Sequence, residues 1–421
     1  MNYLLIELLI MCLGVFFVRK NPKKHFLFLF SMILYFVYIF LGPLNSYNKD
    51  VYEKMGGNFY DYFDEGVLIY IYALLSFVFS YFIFFNFVNK NKNKKYNYVK
   101  SKFKFNDNSK YYLYAFFAIV TFVVLKKSSF EGESSVDSSY NYILFFADSL
   151  ILGIVIFYYE KKLDPIILVI AIFSLLYFLI LGFRYRIILL LIALMYNLLV
   201  SNKLQLKTIA KFAISIYLFS TIINFISINR GVFREQNFEE VELTTESPYE
   251  MSGYQFVMHQ TDNYSTDFNV LKYMSKYNVD HDYGFSMFGH VLIRITPSSL
   301  YNNNNKPAIP QQEIIKNCFN SSEGLSSGAA VSNIFQYYIA FGIFGVVFFM
   351  GLLGYILAYF SKKLDLDIIR NRVIIVFIAM VLFQEITRAY FPQIVTLFAY
   401  LFITFKLFYK KNKKKYGSYF N

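Results

Sequence analysis

Charge is scarce in this chain. Only 16% of its 421 residues are Asp, Glu, Lys or Arg, whereas 57% are hydrophobic and 21% aromatic. Mean hydropathy is +0.41. A soluble domain needs more charge than that to cover its surface, so a water-soluble globule is excluded. Cysteine is also rare: Cys12 lies in the first apolar run and Cys318 far downstream, so no disulfide framework exists. Strict apolar–polar alternation is missing from runs such as Ile166–Leu181 and Ile187–Val200, which argues against a closed β-barrel. There is no P-loop and no GxGxxG before a helix, and the cytosolic loops are short and basic, so ATP-driven chemistry inside is not expected. The four histidines are too widely spaced for a compact metal-ligand set, and neither HExxH nor CxxC occurs. No metal or cofactor is therefore expected.

What the chain has in abundance is long apolar stretches. A helical crossing takes roughly 20 apolar residues. Eleven candidate spans can be drawn: 2–18, 25–44, 66–88, 111–126, 141–159, 165–182, 185–200, 209–228, 331–359, 373–389 and 393–409. The expected fold is all-α, a polytopic membrane protein of about 11 transmembrane helices with one large external loop carrying short helices. No basic region precedes the first apolar run; Arg19, Lys20, Lys23 and Lys24 follow it. The run is expected to be a first helix with its N-terminus outside rather than a cleaved signal.

Most of the 41 Lys and Arg then fall in loops on one side: Arg19 to Lys24, Lys90 to Lys110, Lys161–Lys162, Lys203 to Lys211, Lys362 to Arg372 and the tail Lys406 to Lys415. The acids there are Asp107, Glu160, Asp164, Asp365 and Asp367. Basic residues mark the cytoplasmic side, which places the C-terminus inside. The same distribution accounts for the net charge of +13, so nucleic-acid binding is not expected. One choice matters. Residues 165–200 form two short helices, because a single helix would hold Arg184 and Arg186 at mid-bilayer at a cost of several kcal/mol. A tight hairpin puts both arginines at the outer surface.

The linear organisation expected is an N-terminal membrane domain (1–228), a large external loop (229–330), three C-terminal membrane helices (331–409) and a basic cytoplasmic tail (410–421). No internal repeat is visible. Within the loop, about 251–277 and Phe285–Ile295, ended by Pro297, look helical.

The outer face collects arginine. Arg184 and Arg186 sit in the hairpin, Arg230 and Arg234 at the exit of span eight, Arg294 in the loop and Arg388 near the outer end of span ten. A planar guanidinium binds phosphate through paired hydrogen bonds and stays charged at any relevant pH. The bland reading of each is snorkelling or a helix-end ion pair, for example Arg388 with Glu385. His259, His281 and His290 share the loop, with His290 one turn before Arg294. A His there suits proton acceptance from a sugar hydroxyl, although a loop histidine is commonly just a surface residue. Glu385, Asp148 and Glu7 are ionisable groups at membrane depth, each either functional or paired with a neighbour.

One order of elements is recognisable. Tyr283-Gly284 precedes Phe285–Ile295 and Pro297; a polar stretch follows, then Ser332-Asn-Ile-Phe-Gln-Tyr-Tyr-Ile-Ala-Phe-Gly-Ile-Phe-Gly345 runs into an apolar helix. With Asn229-Arg230-Gly231, Gly182-Phe183-Arg184 and Arg388 before aromatic residues, this resembles the Wzy-type polymerases, the bacterial O-antigen or capsular repeat-unit polymerases. Many relatives have Pro-Arg where this chain has Pro297-Ser298. The resemblance implies a multi-pass protein of the bacterial cytoplasmic (inner) membrane acting on undecaprenyl-diphosphate-linked oligosaccharides. Such an enzyme is a metal-independent glycosyltransferase in lipopolysaccharide or capsule synthesis, working at the outer leaflet. A chain-length regulator and a flippase of the same pathway are the implied partners. On this reading Arg184, Arg230 and Arg294 are expected to hold the diphosphate, with Arg186, Arg234 and Arg388 behind them. His290, Arg294 and Arg230 are the expected catalytic residues, and His259, His281 and Glu385 position the acceptor. An O-antigen ligase would use nearly the same site, and a lipid-linked-oligosaccharide flippase is the alternative from another class.

Overall fold

A computed structural model describes residues 2–46, 60–87, 103–128, 145–180, 184–200, 263–296, 300–301, 306–307, 310–318 and 330–411. The order is α1 (Asn2–Val18), α2 (Phe26–Tyr35), a π-helical stretch (Phe36–Leu41), α3 (Gly42–Ser46) and a 3₁₀ turn (Tyr60–Tyr62) leading into α4 (Phe63–Phe87). Then come β1 (Phe103–Phe105), α5 (Ser109–Ser128), α6 (Phe145–Tyr159), α7 (Pro165–Ile180) and α8 (Arg184–Val200). The loop supplies α9 (Asn263–Tyr277), a π turn (Phe285–Gly289) joined to α10 (His290–Ile295), and α11 (Pro310–Cys318). The chain closes with α12 (Asn333–Lys363), α13 (Ile369–Arg388), α14 (Phe391–Phe408) and β2 (Tyr409–Lys411).

Over its described residues every expected span coincides with helix; span 209–228 lies wholly outside the described residues. Among the described residues, four helices are long and apolar enough to cross a membrane: Phe26–Leu44, Phe63–Phe87, Asn333–Lys363 and Phe391–Phe408. Shorter apolar helices accompany them, including Asn2–Val18 and Pro165–Phe178. The protein is a polytopic membrane protein. Residues 165–200 do break into two helices, α7 and α8, which pack on each other. The all-α expectation needs one amendment. β1 and β2 pair antiparallel, with Phe103 opposite Lys411 and Phe105 opposite Tyr409. Extended backbone forms where two helix ends expose N–H and C=O groups that only a partner strand or water can satisfy.

The chain divides into two compact units. One holds Met1–Asn91, Met251–Asp365 and Ile378–Thr396; the other holds Lys92–Glu250, Leu366–Phe377 and Leu397–Asn421.

The first unit is built around α4 and α12. Its helix contacts demand small residues. A Cβ on Gly354 would sit 2.4 Å from the Phe77 carbonyl oxygen, and Ser76 Oγ donates to the Val347 carbonyl at 2.6 Å. Small side chains let two helix backbones approach closely where lipid gives no hydrophobic drive to associate. At one end of the unit, Tyr81 donates to Ser361 Oγ (3.1 Å) and lies 2.7 Å from His25 Nδ1. Lys362 donates there to the Phe85 carbonyl (2.7 Å). At the other end, Gly66 of α4 meets Phe268 of the loop helix α9, and Gly42 meets Tyr264. So α4 and α12 both run from the loop end to the basic end, and α2 runs back. Basic residues and loop occupy opposite ends of the same helices.

In the second unit, Arg186 of α8 is buried and forks onto Asp148 of α6, with Nε–Oδ1 3.0 Å and Nη2–Oδ2 3.2 Å. Tyr159 donates to the Ala193 carbonyl (2.8 Å) and Asn197 to the Tyr158 hydroxyl (2.8 Å), tying α6 to α8 along their length. Asn106 secures the start of α5 to the end of α14 through its backbone N–H to Phe408 O and its side chain to Leu407 O, both 2.9 Å.

Candidate functional site

At the loop end of the first unit, five elements meet: α9, the π turn with α10, α11, the start of α12 and the α13–α14 corner. Asp267 of α9 is fully buried. Its Oδ2 accepts from the Tyr70 hydroxyl (2.7 Å) and its Oδ1 from the Ser332 N–H (2.8 Å). Ser332 in turn caps α12, its Oγ accepting from Phe335 N–H at 3.3 Å. Ser is favoured there because its oxygen satisfies an orphan N–H of the first turn. Burial pushes the Asp267 carboxyl up to about 7, against the lowering effect of the Ser332 and Tyr70 hydrogen bonds.

Asp282 organises the turn before α10. Its Oδ1 accepts from Gly284 N–H (2.8 Å), its Oδ2 from Ser286 N–H (3.2 Å), and its own N–H donates to the Ile339 carbonyl (3.1 Å). Gly284 has φ 81°, where L side chains are strained, and a Cβ there would strike the Phe341 ring at 2.6 Å. The facing helix is broken at the same level. Phe341 (φ −145°) and Gly342 (φ 64°) leave helical geometry inside α12. The missing Cβ of Gly342 makes room for His281, whose Nε2 would otherwise lie 2.8 Å from it. His281 also meets Tyr338 edge-on, ring centroids 5.5 Å apart.

A run of amides ties the loop to the corner. Gln336 of α12 donates to Gln311 Oε1 (3.1 Å), and Gln311 Nε2 donates to the Ala389 carbonyl (3.1 Å). Gln311 N–H donates to Ser286 Oγ at 3.0 Å. Ala389 has φ 28°, so the carbonyl of a strained residue is held by a side chain. Beside it, Tyr337 donates to buried Glu385. Glu385 makes no ion pair with Arg388 among the described residues; its partner is the tyrosine. Arg388 is exposed one turn on, with the Tyr38 ring of the π-helical stretch in electrostatic reach. Arg294 lies over the Tyr390 ring, 5.4 Å from its centroid, and Lys306 Nζ donates to the Arg294 carbonyl at 3.0 Å. His290 is buried against the edge of Phe285.

Of the residues singled out from sequence, this cluster gathers His281, His290, Arg294, Glu385 and Arg388. Arg184 opens α8 in the other unit, and Arg186 there is held by Asp148. Arg230, Arg234 and His259 lie outside the described residues. So does Gly324-Leu-Ser-Ser-Gly328, which has GxSxG spacing.

The family described as O-antigen polysaccharide polymerase Wzy matches residues 1–413. The chain belongs to that family. No curated protein and no solved structure matches it. O-antigen repeat-unit polymerisation is therefore the activity that the loop-end cluster of this Wzy protein has to be read against. The polar residues that escaped the sequence reading include Asp267, Asp282, Ser286, Gln311, Gln336, Tyr337 and Asn333, whose Nδ2 donates to the Tyr35 hydroxyl (3.0 Å). A signal was present for Asn333 and Gln336, two amides in the first turn of an otherwise apolar helix. Nothing local marked Gln311 or Asp267, because their importance comes from burial alone.

Proposed function

We propose that this Wzy polymerase elongates undecaprenyl-diphosphate-linked oligosaccharides at the outer leaflet of the cytoplasmic membrane, with its N-terminus and the 229–330 loop outside and its C-terminus inside. The growing glycan leaves its carrier as the bond from the anomeric carbon to the diphosphate oxygen breaks. A hydroxyl of the incoming lipid-linked unit takes that carbon, and its proton passes to a base. The diphosphate departs already stabilised, so guanidinium groups aimed at its developing charge supply the main rate effect. We assign that role to Arg294 and Arg388 at the loop end, with Arg184, Arg230 and Arg234 as further candidates from the sequence pattern. Arg186 is committed to Asp148 and drops out of the set. His290 is the proposed base, with Glu385, His281 and His259 positioning the acceptor.

The observation that carries this reading is Arg388: an exposed guanidinium at the α13–α14 corner, paired with no carboxylate among the described residues. Its would-be partner Glu385 is turned to Tyr337. The test is in vitro elongation of purified lipid-linked repeats by Arg294→Ala, Arg388→Ala, Arg184→Ala, Arg230→Ala and His290→Ala at matched protein levels. Full-length polymer from both Arg294→Ala and Arg388→Ala rejects the assignment.

A further inference from the structure

The eleven residues Phe285–Ile295 expose an apolar stripe on a loop that the topology puts outside the spans. Phe285 (48% exposed), Phe288 (48%), Leu292 (70%) and Ile295 (70%) recur at spacings of three and four, so they line one face. Leu300, just beyond, is 73% exposed. The opposite face carries Ser286, Met287 and His290, all buried against the loop-end cluster. In water such a stripe is a liability. A helix of this length reaches only about 16 Å, half of the hydrocarbon core, so it does not span.

We propose that Phe285–Ile295 is an interfacial helix whose stripe is embedded in the hydrocarbon of the loop-side leaflet. Two observations single out bilayer lipid as the occupant. The stripe is continuous with the apolar surface of two candidate spans: Phe288 packs on Phe349 of α12 and Phe391 of α14. On α12, Ile343, Phe344, Val347, Phe348 and Leu352 form an exposed apolar row on a candidate span. The charge also suits a leaflet with anionic headgroups. No acid occurs between Asp282 and Glu313, while Arg294 and Lys306 both do, and Lys306 holds the carbonyl of Arg294. An amphipathic helix with an apolar face and flanking cations lies in the plane of the interface. The inference depends on the protein being a membrane protein and not on the diphosphate assignment. If both hold, insertion of the stripe sets Arg294 at phosphate depth.

The chain contains no tryptophan, so one introduced indole reports alone. Leu292→Trp and Ile295→Trp are made in the full-length protein and reconstituted in phosphatidylethanolamine–phosphatidylglycerol vesicles. Leu352→Trp on α12 is the lipid-facing reference, and Lys276→Trp, on the exposed end of α9, the aqueous one. The expected result is blue-shifted emission from both loop variants, quenched by phospholipids brominated on the acyl chains as strongly as Leu352→Trp and untouched by iodide. Emission matching Lys276→Trp, quenched by iodide and not by bromolipid, overturns the proposal. Either variant that folds suffices, because both positions lie on the stripe.

Discussion

The Tyr337 hydroxyl donates to Glu385 across α12 and α13, and among the described residues Glu385 makes no ion pair with Arg388. Both partners are buried. Tyr337→Phe removes the donor and leaves the carboxylate unsatisfied, at a cost of about 1–3 kcal/mol. Tyr337→Phe combined with Glu385→Gln should cost less than the sum of the singles, since the charge that needed a donor is gone. Thermal unfolding of the detergent-solubilised protein measures all three; strict additivity would show that the pair is not coupled.

Docking of α9 through Asp267 is expected to depend on pH. Its carboxyl is pushed up to about 7 by burial, well above its value in the unfolded chain. The native state therefore holds the proton that the unfolded chain has released, and the stabilisation present below about pH 4 fades as pH rises through 7. Melting temperature should fall between pH 5 and pH 8, and Asp267→Asn should flatten that slope. An unchanged slope in the variant would assign the dependence to another group.

The buried fork between Arg186 and Asp148 sets up a contrast. Asp148→Ala removes the carboxylate that a buried guanidinium forks onto and should destabilise the protein by about 3–5 kcal/mol. Replacing both residues with leucine should recover much of the loss, because an apolar pair needs no solvation. If Asp148→Ala melts like the parent, the guanidinium has found another partner or water.

Gly354 allows α12 to touch α4. A Cβ at 2.4 Å from the Phe77 carbonyl meets backbone, which cannot rotate away. Gly354→Val should separate the helices and reduce folded yield severely, while Gly14→Ala, whose Cβ meets only side-chain tips at 3.3 Å or more, should be tolerated. Size-exclusion profiles in mild detergent distinguish the two. Equal, monodisperse yields would contradict the close-approach account.

Much of this architecture was legible in the sequence for a simple physical reason. Lipid-spanning helices announce themselves by length and hydropathy, and Gly182 to Arg186 marked a boundary between what are two helices, α7 ending at Ile180 and α8 starting at Arg184. The charge pattern also foresaw opposite ends: Lys24 and Lys362 gather where Tyr81 meets His25, and the loop gathers at the start of α4 and α12. The cluster was only half legible. His290, Arg294, Glu385 and Arg388 stood out because charge near a membrane is expensive. Gln311 and Asp267 did not, because a polar residue in a polar loop carries no sign that it will be buried. The π turn at Phe285–Gly289 and the short ribbon of Phe103–Phe105 with Tyr409–Lys411 depend on pairings between distant segments, which periodicity does not encode.

The most direct measurement is the length distribution of polymer made from lipid-linked repeats by purified Arg388→Ala and Arg388→Lys. With the guanidinium on the departing diphosphate, Arg388→Ala should lose about 10²–10³-fold in rate and stall after the first additions, and Arg388→Lys should recover only part of it. Normal rates and full-length polymer from Arg388→Ala would contradict the account.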